Sequence, residues 1–249
     1  MEPGKPEIEE TGFANEIGQF KIEEIPTDFD ESAVNSLSQS LNQTNLFLLG
    51  EMHGVSENPN IIYTLIKKFN LRSIALEWDE VLRPQIDKFL ETGEIPNAIS
   101  SYDGRITAGH FALLKRLKGE GILDELILFN DNSATWDQRD AQMARNIISA
   151  RKVPTLIATG NLHSRVTPIS NPDYPNMTTP MGVNLKNALG DLSSGNIEYQ
   201  SGDFYNLGIR HFETASDIDL KAKFFRNEQG VYVFSFPVAH AAVVPGAKI

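Results

Sequence analysis

Cysteine is missing from all 249 residues. Its absence excludes disulfides, thiolate-held zinc or iron–sulfur clusters, and lipid anchors on sulfur. No apolar run approaches the ~20 residues that a membrane-spanning helix needs. The N-terminal stretch MEPGKPEIEE lacks the basic start and apolar stretch of a secretory signal. These absences predict a soluble, cytoplasmic protein with no membrane span. Positive charge is scarce: 22 Lys and Arg face 33 Asp and Glu, for a formal net charge of −11. Residues 1–30 carry −7 of it, from nine acids against Lys5 and Lys21. An acidic chain without a basic stripe is a poor partner for nucleic acid, whose affinity rests on phosphate neutralisation, and for anionic membranes. Several signatures are missing too: the Gly-x-Gly-x-x-Gly fingerprint, the phosphate-binding Gly-Lys-Ser/Thr loop, His-Glu-x-x-His, and the Gly-x-Ser-x-Gly elbow of serine hydrolases.

What is present reads as one globular domain. Hydrophobic residues make up 41% of the chain and charged residues 22%, enough for a single sizeable core. The polar, Gly- and Pro-interrupted residues 1–30 read as an acidic arm, and 31–249 as one α/β domain. Strand and helix signals then alternate. Strands are expected at 46–50, 73–79, 125–131 and 155–163, with further candidates at 197–202 and 230–238. Helices are expected over 30–42, 58–69, 84–91, 109–118, 135–150 and 181–189. Asn58 is expected to cap one, with Pro59 at its first position, and Thr135 with Gln138 forms a capping box for another. Continuous apolar strands between helices predict a central, mainly parallel sheet flanked by helices on both faces. Residues 167–180, rich in Pro and Asn, read as a long surface loop.

In open parallel sheets, ligands bind beyond the carboxyl ends of the strands. The strand LFLLG ends in Glu51 and His53, SIALEWD in Glu77 and Asp79, ELILFND in Asp131 and Asn132, and TLIATGNLH in Asn161 and His163. Residues two apart on extended chain point the same way, so four tips aim polar groups at one rim. On the helix from Thr135, Asp140 shares a face with Trp136, Met143 and Ile147. A carboxylate on an apolar stripe needs a partner: either a backbone loop that it caps, or a site histidine that it orients. His110 reads as a surface residue in the first turn of a helix, His211 as lying in a polar stretch, and His240 as equally a core or a functional histidine.

LGEMHG…ENP at 49–59, ALEW at 75–78, RDAQMARNI at 139–147, GNLH at 160–163 and PMGVNL at 180–185 occur in that order. Over residues 44–190 the chain resembles the superfamily that joins erythromycin esterases, ChaN-like haem-binding proteins and TraB/Tiki metalloproteases. One residue separates Glu51 from His53, as in the ChaN-like branch, where erythromycin esterases usually have two; unlike that branch, the chain has neither signal nor cysteine. The resemblance implies an α/β fold with Glu51, His53, Glu77 and His163 as the polar core of the site, and Arg139, Asp140 and Asn161 in support. The expected activity is hydrolysis of an ester or amide in a small molecule or peptide, with His53 or His163 as general base. A divalent metal, Zn or Mn, held by His53, His163 and Glu77 is an alternative way to activate the water. Two other readings stand beside it: a non-catalytic protein that binds haem or another iron compound, and a silent member that acts on a partner through its acidic arm.

Overall fold

The computed structural model describes residues 8–95, 99, 103–170, 178–214 and 216–245. The elements run α1 (Ile8–Gln19), β1 (Thr27–Phe29), α2 (Glu31–Thr44), β2 (Leu46–Glu51), α3 (Asn58–Phe69) and β3 (Ser73–Asp79). They continue with α4 (Arg83–Thr92), α5 (Ala108–Gly119), β4 (Glu125–Asn130), α6 (Trp136–Ala150), β5 (Thr155–Gly160) and α7 (Met181–Leu189). The chain closes with β6 (Ser193–Tyr199), β7 (Asp203–Tyr205), β8 (Ile209–His211), β9 (Ala222–Arg226) and β10 (Tyr232–Phe236). Part of the expected 167–180 loop, residues 171–177, lies outside the described residues. Its flanks are joined where Ile169 N donates to Thr178 O at 3.1 Å.

Eight strands form one sheet in the order β1-β9-β10-β6-β2-β5-β3-β4, parallel throughout except for the β9–β10 pair. The period of two along a strand divides the core. Phe47 and Leu49 of β2 join Leu37, Ile62, Phe89 and Phe111 on one face, whereas Leu46 and Leu48 join Met143 and Ile147 of α6 and Leu185 of α7 on the other. From β2 the chain crosses by α3 to β3 and then by α4 and α5 to β4. It returns over the opposite face by α6 to β5 and by α7 to β6. This double winding brings the ends of β2, β3 and β5 side by side.

Three sequence expectations change. The stretch read as an acidic arm is, from Ile8 onward, a helix and an edge strand packed on the common core. Phe13, Ile17 and Ile22 are buried, and Phe13 meets Phe111 edge-on at 5.9 Å. Burying such a side chain is worth about 1.5–3 kcal/mol; the sparse apolar positions among nine acids hid it. Asn58 does not cap α3. It lies fully buried inside the first turn, where Nδ2 donates to Met52 O (2.8 Å) and Oδ1 accepts from Tyr199 Oη (2.5 Å). Thr135 is the N-cap of α6, but its exposed side chain makes no capping bond; Gln138 N donates instead to Thr135 O at 2.9 Å.

Candidate active site

The ends of β2, β3 and β5, with the loop before α5 and strand β7, enclose a cleft of about 650 Å³. It is lined by Glu51, His53, Glu77, Arg105, Arg139 and His163 at its floor, and by Met52, Leu162, Phe204 and Asn206 toward its mouth. All four residues expected at its polar core are therefore together. Asn161 lines the cleft as well, and Asp140 stands behind His163. The other strand-tip candidates do not reach it. Asp79 caps the turn after β3 and accepts from Asn132 N, and Asp131 accepts from Ser133.

Glu77 is the hub, only 2% exposed. Its Oε1 accepts from Arg139 Nη2 at 2.9 Å and faces Arg105 Nη1 at 3.3 Å and His163 Nε2 at 3.7 Å. Its Oε2 accepts from Thr159 Oγ1 at 2.7 Å and Gly160 N at 3.0 Å, and faces His53 Nε2 at 3.5 Å. Burial alone would raise the Glu77 pKa. The neighbouring His163, the bond and charge of His53, and the charge of Arg105 overcome it and hold Glu77 well below the usual carboxylate range. Glu77 is a fixed anion and not a proton acceptor. Arg139 Nε also donates to Asn130 Oδ1 at 2.8 Å, so α6 and β4 hold its plane in place.

His53 sits between two carboxylates. Its Nδ1 is 3.1 Å from Glu51 Oε1 and its Nε2 3.5 Å from Glu77 Oε2. Burial pushes its pKa down, but the bonds and charges of Glu51 and Glu77 push it up further, to about 10. His53 is therefore an imidazolium at neutral pH. Glu51 is lowered despite its burial, by His110 and His53.

His163 also has a carboxylate near each nitrogen, with Nε2 3.7 Å from Glu77 Oε1. Its Nδ1 is 2.8 Å from Asp140 Oδ1, which also accepts from Met181 N at 2.6 Å. Both roles considered for Asp140 are thus filled by one oxygen: it caps the start of α7 and orients a histidine. This carboxylate favours a proton on Nδ1 and places Nε2 at the cleft lining. The Trp136 side chain lies outside the described residues; Met143 and Ile147 are buried as expected.

Local backbone explains the close fit. Gly160 ends β5 where an added Cβ would come 3.1 Å from His53 Nε2 and 3.6 Å from His163 Cδ2. Gly54, at φ +75°, donates to Gly104 O and accepts from Tyr205 N, each at 2.9 Å. The room at Gly54 is taken by the Tyr205 backbone, since a Cβ there would fall 2.0 Å from Tyr205 O. The glycine thereby ties the β7–β8 ribbon and the loop before α5 to the cleft mouth.

Asp103, Arg105, Thr159, Phe204 and Asn206 line or support the cleft without having been expected there. Arg105 and Asp103 lie in a loop without periodicity, and only the charged pair in YDGR signals them. His110, expected at the surface, is 1% exposed, with its ring against Trp78. His211 and His240 are exposed and pair with Asp203 and Glu57.

The metal set of His53, His163 and Glu77 does not fit a cation. Both Glu77 oxygens are engaged, Arg105 and Arg139 stand beside them, and both His53 nitrogens face carboxylates. Among the described residues no group of three or more His, Asp or Glu is disposed to hold an ion. Haem is not favoured either, because its apolar ring face would lie against this charged floor. Among the described residues, no helix is long and apolar enough to cross a membrane.

No protein-family model matches the chain, and no curated protein matches it. Solved structures do share its fold. A succinoglycan biosynthesis protein is similar with a TM-score of 0.59 at 10% identity, over 96% of this chain and all of the other. An erythromycin esterase mutant, EreC, in its open conformation, is similar with a TM-score of 0.52 at 11% identity, over 88% of this chain and 96% of the other. At these identities the likeness is one of fold, and at that level it agrees with the resemblance carried by the motifs.

Proposed function

We propose that this chain, which has the fold of an erythromycin esterase, hydrolyses an ester or amide bond in a small molecule or peptide, with His163 as the general base. The observation that carries the reading is the Asp140–His163 pair at 2.8 Å, with the His163 ring lining the cleft. A water beside Nε2 gives its proton to His163 as it attacks the carbonyl, and Asp140 compensates the imidazolium that forms. His53 is already charged and is unsuited to take a proton. Its Nε2–H, held loosely at 3.5 Å from Glu77, can turn to the developing oxyanion. Arg105 adds positive charge beside it. His163 then returns its proton to the leaving group, and acid and alcohol or amine depart. Glu51, Glu77 and Arg139 hold the two rings in place.

The test is turnover on a panel of esters and amides by the wild type and by His163→Ala. Hydrolysis by the wild type, with a loss on the order of a hundredfold or more in the variant, supports the reading. Equal rates in the two proteins would overturn it.

A further inference from the structure

Hydrolysis as drawn uses one oxygen of Glu51. The other, Oε2, is buried and accepts no hydrogen bond. A buried carboxylate oxygen without a donor is costly. The group that faces it is His110 on α5, whose Nε2 stands 3.9 Å away. His110 does not itself line the cleft and has no part in the steps above.

We propose that His110 is a positioning residue of this site: its Nε2–H is aimed at the second oxygen of Glu51 and fixes, through that carboxylate, the ring of His53. The inference rests on Glu51 and His53 belonging to the hydrolytic site.

The tautomer follows from Thr107. This residue is 1% exposed and is the N-cap of α5; its Oγ1 accepts from His110 N at 3.3 Å and lies 2.9 Å from His110 Nδ1. A buried hydroxyl needs an acceptor for its own hydrogen, and Nδ1 is within reach. With Nδ1 accepting from Thr107, the proton of the neutral ring sits on Nε2, the nitrogen that faces Glu51. Trp78 fixes the ring plane, with centroids 6.1 Å apart at 80°, and Trp78 Nε1 donates to Arg105 O at 2.9 Å. The distance of 3.9 Å is longer than a hydrogen bond. Closure of that gap in the working site is part of the proposal.

The experiment compares His110→Gln, whose amide nitrogen reaches the place of Nε2, with His110→Asn, whose amide reaches only the place of Nδ1. The readout independent of turnover is the hydrogen-bonded Nδ1–H proton of His53 in NMR spectra at fixed neutral pH, assigned by its loss in His53→Gln. The Gln variant should keep that resonance. The Asn variant should lose or shift it, and its kcat should fall about tenfold with KM unchanged, the effect of one charge-assisted hydrogen bond. If the Asn variant does not fold, Thr107→Val, which releases the tautomer, should show the same change while Thr107→Ser does not. A folded Asn variant, or Thr107→Val in its place, with the wild-type His53 resonance would overturn the inference. So would a Gln variant no better than Asn. Should no ester or amide be turned over by any form, the hydrolytic reading fails while the resonance still decides whether His110 positions the pair.

Discussion

Replacing Asp140 separates what the residue does for the fold from what it does for chemistry. Its Oδ1 accepts from both His163 Nδ1 (2.8 Å) and Met181 N (2.6 Å), and the residue is 5% exposed. Asp140→Ala leaves two donors unpaired in the interior. Each costs about 1–3 kcal/mol, partly relieved where the space admits water, so a loss of about 2–4 kcal/mol is expected. For a chain of this size that lowers Tm by roughly 5–15 °C. Asp140→Asn retains an oxygen where Oδ1 stands and can keep both bonds, so its Tm should stay close to wild type. It lacks the negative charge that compensates His163 when it takes a proton, and its kcat should fall by about 10²–10⁴-fold. Thermal unfolding and turnover on the best ester of the panel read the two effects separately. An Ala variant as stable as wild type, or an Asn variant with full kcat, would refute the reasoning.

Further outcomes follow from the same geometry. Arg139→Ala removes a cation from buried Glu77 and should destabilise by about 3–5 kcal/mol, whereas Arg139→Lys should lose less; urea unfolding distinguishes them. Gly160→Ala puts a methyl 3.1 Å from His53 Nε2. It should cost about 1–3 kcal/mol and depress kcat well beyond what that loss of stability explains, as measured by unfolding and turnover together. His53 has a raised pKa, from 6.5 to about 10. Its contribution to stability is therefore fully present below 6.5 and is lost as pH rises through about 10. Between neutral pH and about pH 10 the wild type should lose on the order of a few kcal/mol, and His53→Gln should show a flatter profile. Parallel slopes in denaturant titrations would count against a charged His53.

The sequence displayed the sheet because buried parallel strands are uninterrupted apolar runs: 73–79 and the 181–189 helix agree with the structure to the residue. Glu51, His53, Glu77 and His163 were legible for the same reason, since a strand end announces where a polar side chain leaves the core. Other features had no such signal. Strands β1, β7 and β8 are three residues each, too short for a period of two to register. Asp103 and Arg105 reach the cleft from a loop whose path is set by Trp78 and Gly54, residues distant in sequence. His110 was misplaced because a histidine in a first helical turn gives no sign of burial until β2 brings Glu51 beside it. The protonation of His53 was also beyond reach, as it depends on two carboxylates from separate strands.

Activation of water by His163 for direct attack is tested most directly by single-turnover hydrolysis in ¹⁸O-labelled water. The substrate is the best ester of the panel, and mass spectrometry reads both the acid product and the protein. Direct attack places one labelled oxygen in the acid and none in the protein, and the reaction is almost completely lost in His163→Ala. An acylated or labelled carboxylate on the protein, or hydrolysis that persists without His163, would contradict it.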